Sequence, residues 1–281
     1  MDRSWYLVIG LAKTGTTAVA MTLRNTLRIE DCCMEPSDFP EIEAKAKNRL
    51  VIKILFDHWQ GRSHQLSAHF RDLKGYDLTT IAIVRDPRDE AISRLHYVAY
   101  DYFSKRPTTL CDRTAWLDIF YRKEDAPKSL GLIDMQRYLQ DRFGVGFLAS
   151  KSLYESYSQF IEADQSGKRY VLHYEDFISN SVSDERLQHL LSGSRHLPPS
   201  LRRVFRTGSN GQWRDFLTDD DLICINAMCS QYLRCFGYPL TRDRKADSRA
   251  ANDVASRTGS EYVAKLIDEA RHAYEKNASQ Q

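Results

Sequence analysis

The stretch VIGLAKTGTT, residues 8–17, decides the fold. An apolar, β-branched run ends at Gly10, a short turn leads to Gly15, and a helical pattern begins at Thr16. Glycines between a strand and a helix are typical of loops that bind phosphate groups, because backbone N–H groups and a helix N-terminus then point at one anion. A nucleoside triphosphatase carries a lysine and then Ser or Thr directly after the second glycine. This loop has threonines there, and its only lysine is Lys13.

Composition limits the classes of protein to consider. The chain has 281 residues, 42% of them hydrophobic, which suffices for one substantial α/β core. The formal charge of +2, from 40 basic and 38 acidic residues, argues against a whole-protein attraction to nucleic acid or to a membrane surface. The six cysteines show neither paired metal-ligand spacing nor the density of a disulfide scaffold, which is typical of reduced thiols in the cytoplasm. We expect no membrane span, since no apolar run approaches about 18 residues, and no targeting signal, since MDRSWYLVIG enters a predicted strand within a few residues.

The alternation of apolar runs and helical patterns predicts a single-domain, doubly wound, mostly parallel α/β sheet flanked by helices. The predicted strands are 5–10, 29–34, 50–56, 79–84 and 169–174. The predicted helices are 16–27, 65–73, 87–103, 113–121, 129–142, 152–163 and 219–236. After residue 240 the sequence becomes polar and then regains a helical pattern at 261–276. We therefore expect one domain over 1–240, followed by a polar linker and a C-terminal helix over 241–281.

Two further stretches carry groups suited to anions. IAIVRDPRDEAISRLHY, residues 81–97, places Arg85 at the end of a predicted strand and Ser93 about two turns into the next helix. A guanidinium fork and a hydroxyl can bind the same phosphate, although charges near a helix start can also be purely structural. RTGSNGQWRDFLTDDD, residues 206–221, is a glycine-rich loop that begins with Arg206 and precedes a helix. Glycines let a backbone approach a ligand, but a plain surface loop is the alternative.

In order and spacing, these three stretches resemble the sulfotransferases that use 3'-phosphoadenosine 5'-phosphosulfate (PAPS), over residues 5–240. AKTGTT resembles the family's 5'-phosphosulfate loop, VRDPRDEAISRLHY its 3'-phosphate segment, and RTGSNGQW its R-x-G-x-x-G-x-W element. YVLHYEDF is similar to the strand in which the family carries a tyrosine near the adenine, here Tyr174. The resemblance implies transfer of a sulfuryl group from PAPS to a hydroxyl, which leaves 3'-phosphoadenosine 5'-phosphate (PAP).

The resemblance also implies which residues bind the donor. Lys13 would lie near the 5'-phosphate and the bridging oxygen, where charge builds as the sulfuryl group leaves. The loop residues that would cradle the 5'-phosphate are Thr14, Gly15, Thr16 and Thr17. The residues expected around the 3'-phosphate are Arg85, Ser93, Arg206, Thr207 and Gly208. No metal is expected, because a transferring sulfuryl group carries less negative charge than a phosphoryl group and does not require magnesium.

The chain departs from the phenol and steroid branch of that family. Ala18 replaces a tryptophan that follows the paired threonines, which puts one adenine contact in doubt. That branch also carries a Lys-x-His pair, and RLVIKILFDHW keeps Lys53 but has Leu55 in the place of the histidine. Lys53 can still assist Lys13 in stabilising the charge that is transferred. The usual base is missing, although an acceptor hydroxyl must lose its proton.

Three residues are candidates for the base. Glu35, in CCMEP after the predicted second strand, resembles the base of the bacterial carbohydrate and tyrosylprotein branches. Asp57 and His58 follow the third strand, where α/β enzymes keep catalytic groups. A histidine in the helix after Arg85, His96, fits a packed core better than a pocket.

The Glu35 pattern favours a carbohydrate or another small hydroxylated acceptor. Two other functions stay open at this stage: a P-loop kinase or triphosphatase, and a catalytically silent nucleotide-binding scaffold. We expect a cytoplasmic protein that binds no nucleic acid, and the sequence leaves a homo-oligomer open.

Overall fold

The computed structural model describes residues 3–45, 48–71, 76–163, 168–193, 211–240 and 258–279. The chain forms two compact units. Unit 1 combines Met1–Arg85 with Lys151–Thr207, and unit 2 combines Asp86–Ser150 with Gly208–Gln281.

Unit 1 contains a five-stranded sheet in which every neighbouring pair of strands is parallel. The strands are β1 (Ser4–Gly10), β2 (Cys32–Met34), β3 (Arg49–Leu55), β4 (Asp77–Val84) and β5 (Arg169–His173). Their order across the sheet is β2-β3-β1-β4-β5. The predicted parallel α/β sheet is therefore confirmed.

Helices cover both faces of this sheet, as a doubly wound fold requires. The helices of unit 1 are α1 (Thr16–Leu27), α2 (Phe39–Ala44), α3 (Ser63–Arg71), α7 (Lys151–Ala163), α8 (Tyr174–Ser179) and α9 (Glu185–Leu190). One face buries Val8, Val51 and Ile81 in a core shared with α1, α8 and α9. On the other face α7 packs its rings on the end of β3, where Tyr157 and Phe160 contact Phe56. The sheet is therefore apolar on both sides.

The strand order indicates where a crevice is expected at the carboxyl edge of the sheet. The chain leaves β1 toward β2 and β3, but it leaves β4 toward β5 on the opposite side. Such a reversal opens a cleft between the two central strands, and ligands of open α/β sheets bind there. The loop after Gly10 and the residue Arg85 lie at the ends of these two strands.

Unit 2 is helical. Its helices are α4 (Pro87–Phe103), α5 (Leu110–Asp125), α6 (Leu132–Phe143), α10 (Trp213–Phe216), α11 (Asp219–Met228), α12 (Ser230–Cys235) and α13 (Thr258–Ala278). The C-terminal helix α13 packs against α4 and α5 and buries Val263 and Ile267. Ser260 donates from its N–H and its hydroxyl to Glu124, at 2.9 and 2.8 Å, which anchors the start of α13. None of the helices in the described ranges is both long and apolar enough to cross a membrane.

Local signals account for the boundaries that were predicted well. Helices α1 and α4 begin and end as predicted.

Three other predicted bounds differ from the structure. The predicted strand 29–34 is shorter, because the N–H of Ile29 still donates to the carbonyl of Arg24 at the end of α1. Tyr174 begins α8 instead of ending β5. The predicted helix 219–236 is divided, because Cys229 leaves helical geometry (φ −105°) between α11 and α12.

One buried tyrosine joins the two strands that border the crevice. The hydroxyl of Tyr157 in α7 donates toward the carbonyl oxygens of Ile9 in β1 and Ile83 in β4, at 3.1 and 2.9 Å. We expect Tyr157→Phe to lower the free energy of unfolding by about 1–3 kcal/mol, because a buried hydrogen bond is lost without another donor to replace it. Urea unfolding measures the change. Tyr121→Phe, at a side chain that is 50% exposed, is the control and should stay within about 0.5 kcal/mol of the wild type. Equal stability of the two variants would contradict a structural role for the Tyr157 hydroxyl.

Candidate functional site

The candidate site is built on the loop between β1 and α1, residues 11–15, which we call the 11–15 loop. Gly10 is required at its start, since a Cβ there would lie 2.5 Å from Thr14 Oγ1 and 2.8 Å from Thr16 Cγ2. Inside the loop the carbonyl of Leu11 accepts from the N–H of Thr14 at 3.2 Å and from its hydroxyl at 2.7 Å. The turn is therefore closed by its own residues and its backbone lies tightly against the strand end.

The loop leads into the N-terminus of α1 in a form that suits an anion. Gly15 is the N-cap residue, with φ 91°, and no side chain caps the helix. The first turn of α1 contains no acidic residue. The first backbone N–H groups of a helix have no intrahelical partner, and the helix dipole adds partial positive charge there. An end without a side-chain cap or an acidic residue is suited to a bound anion.

Two charged side chains hold the loop from opposite sides. Asp57, just after β3, accepts a hydrogen bond from the N–H of Ala12 at 2.7 Å. Arg85, just after β4, donates from Nη1 to the carbonyl of Lys13 at 2.7 Å. Lys13 itself has φ 69°, in the left-handed region that non-glycine residues rarely adopt. The ends of both strands next to β1 therefore determine the path of the loop.

Tyr174 contributes to the same region from the start of α8. Its ring lies against Gly15, so that a Cβ on this glycine would meet the ring at 2.2 Å. The guanidinium carbon of Arg85 lies 4.7 Å from the centre of that ring, which is a cation–π distance. Tyr174 is buried, with 7% of its surface exposed. The structure thus brings the predicted site residues Lys13, Gly15, Arg85 and Tyr174 close together.

A buried lysine forms a second feature at the carboxyl edge. Lys53 in β3 pairs in register with Met34, and its Nζ donates to Glu35 Oε1 in an ion pair. The N–H of Glu35 also donates to the carbonyl of Lys53 at 2.8 Å. The side chain of Lys53 is 2% exposed and that of Glu35 is 44% exposed. The ammonium group of Lys53 is therefore shielded from water, whereas the carboxylate of Glu35 is in contact with water.

Burial and the ion pair act in opposite directions on the charge of Lys53. Burial is the larger effect and lowers the pKa of Lys53 below its ordinary 10.5, whereas the carboxylates of Glu35 and Asp57 raise that pKa. Glu35 has φ 53°. In this pair, Lys53 carries its charge in a buried environment that disfavours it, and Glu35 has a strained backbone conformation.

The other two candidates for the base, Asp57 and His58, are adjacent but differ in their surroundings. Both lie in a 3-10 turn, Phe56–His58, that directly follows β3. Asp57 is half-buried and bonded to the 11–15 loop, whereas His58 is exposed. His96, in contrast, is buried among the rings of Phe120 and Tyr262 in unit 2, as expected for a core histidine.

The start of α4 in unit 2 is stabilised by buried charged side chains. Arg88 is fully buried and donates to both carboxylate oxygens of Asp86, from Nε at 2.8 Å and from Nη2 at 2.7 Å. Its guanidinium lies 4.1 Å from the ring centre of Trp213. Asp89 accepts from the N–H groups of Gly211 and Trp213, at 2.7 and 3.1 Å. The described end of the glycine-rich stretch is therefore bonded to the first turn of α4.

Ser93, predicted as a phosphate ligand, is half-buried within α4. Three other predicted ligands, Arg206, Thr207 and Gly208, lie outside the described residues.

Sequence reasoning missed the bonds of Asp57 to Ala12 and of Tyr157 to the two central strands. The position of Asp57 could have indicated its bond. It follows β3, which is parallel to β1, so its carboxylate lies at the same carboxyl edge of the sheet as the 11–15 loop. No local pattern indicates the role of Tyr157, which joins backbone groups distant in sequence.

The fold and the loop define an α/β protein with a strand–loop–helix suited to an anion. No family model matches the sequence, and no curated protein matches it. Among solved structures, the chain is similar to mouse sulfotransferase SULT7A1 complexed with PAP. The likeness covers 83% of this chain and 85% of that one, with 16% identity and a TM-score of 0.44. At that level the likeness carries no argument about the site, whose description depends on the contacts above.

The Lys53–Glu35 pair generates a prediction about stability. We expect Lys53→Met to be neutral or stabilising at pH 7, because the variant removes a buried ammonium group while the carboxylate of Glu35, which is 44% exposed, stays in contact with water. The pKa of Lys53 is lowered by folding, so the wild type gains stability as pH rises from the folded pKa toward 10.5. The difference between the two proteins should therefore shrink in alkali. Chemical unfolding at neutral and alkaline pH measures it.

Lys45 offers a control of opposite sign. Its bond to Glu41 raises its pKa at an exposed site, so Lys45→Met should cost less than about 1 kcal/mol at neutral pH. A Lys53→Met variant that is clearly less stable than the wild type at pH 7 would show that the buried pair is net stabilising.

Proposed function

We propose that the protein is a sulfotransferase that moves a sulfuryl group from PAPS to the hydroxyl of a small acceptor and releases PAP. One observation carries the proposal: an α-helix N-terminus without a side-chain cap follows a tight glycine loop, with the cationic residues Lys13 and Arg85 at that loop. The close approaches at Gly10 and Gly15 fit a loop shaped to wrap a phosphate. A bound 5'-phosphate would complete the partners of the first N–H groups of α1, including those of Thr16 and Thr17.

The position of the lysine supports sulfuryl rather than phosphoryl transfer. A P-loop kinase or triphosphatase uses a lysine after the second glycine to reach the β- and γ-phosphates, and a metal ion to bridge them. Here that place is Thr16, while Lys13 lies within the turn in left-handed geometry. A sulfuryl group needs less charge compensation, so one lysine near the bridging oxygen suffices in our proposal. The reaction would then require no metal.

The chemistry balances with residues of this chain. The acceptor oxygen attacks sulfur in line while the bond from sulfur to the bridging oxygen breaks, and that electron pair stays on the 5'-phosphate. Lys13 would stabilise the charge that develops there, with Lys53 as a second cation. The acceptor's proton would pass to Glu35, whose carboxylate is partly exposed and held by Lys53. Asp57 and His58 are the alternatives for this role.

Glu35 favours a carbohydrate or another small hydroxylated metabolite as the acceptor, because of its resemblance to the base of the carbohydrate branch. The roles of Ser93, Arg206, Thr207 and Gly208 at the 3'-phosphate, and of Tyr174 near the adenine, stay predictions. The expected cytoplasmic location and the question of a homo-oligomer stay predictions as well.

Binding of PAP tests the donor site. We expect calorimetry to show PAP binding that is unchanged by a metal chelator. Arg85→Ala should weaken PAP by about 10- to 100-fold more than adenosine 5'-phosphate, because the proposed charge-assisted bonds to the 3'-phosphate, worth about 1.5–3 kcal/mol, are lost for PAP alone, whereas loss of the bond to Lys13 affects both nucleotides.

Arg49→Ala is the matched control, since this exposed arginine lies at the opposite edge of the sheet and donates to the carbonyl of Leu27. Loss of PAP binding in chelator would favour the kinase or triphosphatase. An equal loss for both nucleotides in Arg85→Ala would show that Arg85 serves only the loop.

Turnover tests the base. Glu35→Gln keeps the shape of the side chain but cannot accept a proton, so we expect turnover to fall by about 100- to 10,000-fold with PAP affinity nearly unchanged. An acceptor panel with labelled PAPS and mass detection of the product measures it. Glu30→Gln, at an exposed glutamate ahead of β2, is the control.

Near wild-type turnover in Glu35→Gln, together with loss of turnover in His58→Ala at unchanged PAP affinity, would transfer the role to His58 and remove the argument for a carbohydrate acceptor. Absence of product with every acceptor, despite PAP binding, would favour a nucleotide-binding scaffold.

A further inference from the structure

Two peptide groups of the 11–15 loop, Leu11–Ala12 and Lys13–Thr14, are each held by a side chain that follows a neighbouring strand. The N–H of Ala12, on one side, donates to Asp57 Oδ2, and the carbonyl of Lys13, on the other side, accepts from Arg85. These bonds fix the directions of two peptide planes, and Ala12 and the left-handed residue Lys13 lie between those planes. A non-glycine residue in that region costs about 1–2 kcal/mol and persists only where its surroundings enforce it.

We propose that Asp57 is a positioning residue, which sets the affinity for the donor by holding the 11–15 loop and does not take the acceptor's proton. The inference rests on the proposed function, in which this loop binds the 5'-phosphate of the donor. Asp57 acts through Ala12, because its bond turns that N–H toward the end of β3 and so fixes the direction of the next peptide groups.

Electrostatics supports this assignment. A carboxylate near an anion site repels the ligand, so Asp57 would weaken donor binding if it had no other role. Its hydrogen bond to a backbone N–H offers the compensating role, because a charge-assisted bond of 2.7 Å is short and strong. The carboxylate also lies near enough to Lys53 to favour the lysine's charged form. Asp57, at the end of β3, therefore bonds to the 11–15 loop and also acts electrostatically on Lys53 of the Lys53–Glu35 pair.

Replacing Asp57 by asparagine distinguishes a positioning role from a role as the base. The side-chain oxygen of asparagine can accept the N–H of Ala12 but cannot accept a proton. Asp57→Asn should therefore preserve donor binding if the hydrogen bond matters. Asp57→Ala removes the acceptor altogether and should release the loop.

The experiment compares binding of PAP and of adenosine 5'-phosphate to the full chain by calorimetry. We expect Asp57→Ala to weaken both nucleotides by the same factor, about 10- to 100-fold, since both carry the 5'-phosphate. We expect Asp57→Asn to stay within about threefold of the wild type for both. Asp77→Ala is the control, because this exposed aspartate starts β4 at the other edge of the sheet, where its side chain forms a surface ion pair with Lys168.

Amide hydrogen exchange of the protein without ligand adds a test that needs no nucleotide. The amide of Ala12 should exchange faster in Asp57→Ala and keep its protection in Asp57→Asn, while chemical unfolding confirms that each variant is folded. If the wild type binds neither nucleotide, the proposed function fails, and exchange at Ala12 still decides whether Asp57 holds the loop.

Two results would overturn the inference. One is wild-type binding and wild-type Ala12 exchange in Asp57→Ala. The other is an Asp57→Asn variant that binds both nucleotides normally but has lost turnover, since this result would make Asp57 the base.

Discussion

The site depends on a loop that is held from both sides by the strands that flank it. Parallel pairing sets Gly10 level with Leu55 of β3 and Ile83 of β4, so all three strands end together. Asp57 and Arg85 lie just beyond those strand ends, and their side chains are therefore close enough to bond directly to the 11–15 loop. The hydroxyl of Tyr157 bonds both β1 and β4 directly below the crevice. Because each contact depends on the register, a shift of one residue would remove them all and move every side chain to the other face.

Backbone strain identifies the same edge of the sheet independently of charge. Within the described ranges, the non-glycine residues with positive φ are Lys13, Arg28, Glu35 and Asn180. Arg28 and Asn180 are the C-cap residues of α1 and α8, where left-handed geometry is common. Lys13 and Glu35 have no such explanation, and both lie at the carboxyl edge of the sheet, each held by bonds to a neighbouring strand. Strain that is enforced by surrounding contacts is typical of functional sites, where it fixes a group in the conformation that the reaction uses.

The sequence predicts those parts of the structure that local chemistry determines. Gly15 at the end of the 11–15 loop and the Asp86-Pro87 pair at the start of α4 mark helix starts, and the predicted bounds of α1 and α4 agree with the structure. Apolar runs likewise predict all five strands. The bond from Ala12 to Asp57 could not be predicted, because it depends on which strands become neighbours. The pairing of Lys53 with Glu35 is of the same kind, since each residue was a separate candidate in the sequence and only the β2–β3 register brings them together.

In the proposed function, a chain with a formal charge of only +2 would have to bind the nucleotide donor through local groups. The candidate site does not do so by accumulating positive charge, since carboxylates of Glu35 and Asp57 lie among its cations. Two of its parts are instead fixed in advance, the loop by two side chains and Lys53 by burial, while the N-terminus of α1 has no side-chain cap. Dipoles and charges that are already oriented need no reorganisation when the ligand binds or when charge moves during transfer. The cost is borne by the folded state, in the left-handed geometry of Lys13 and the lowered pKa of Lys53. Affinity at this edge should therefore respond more to the geometry of the loop than to the number of charges on the surface.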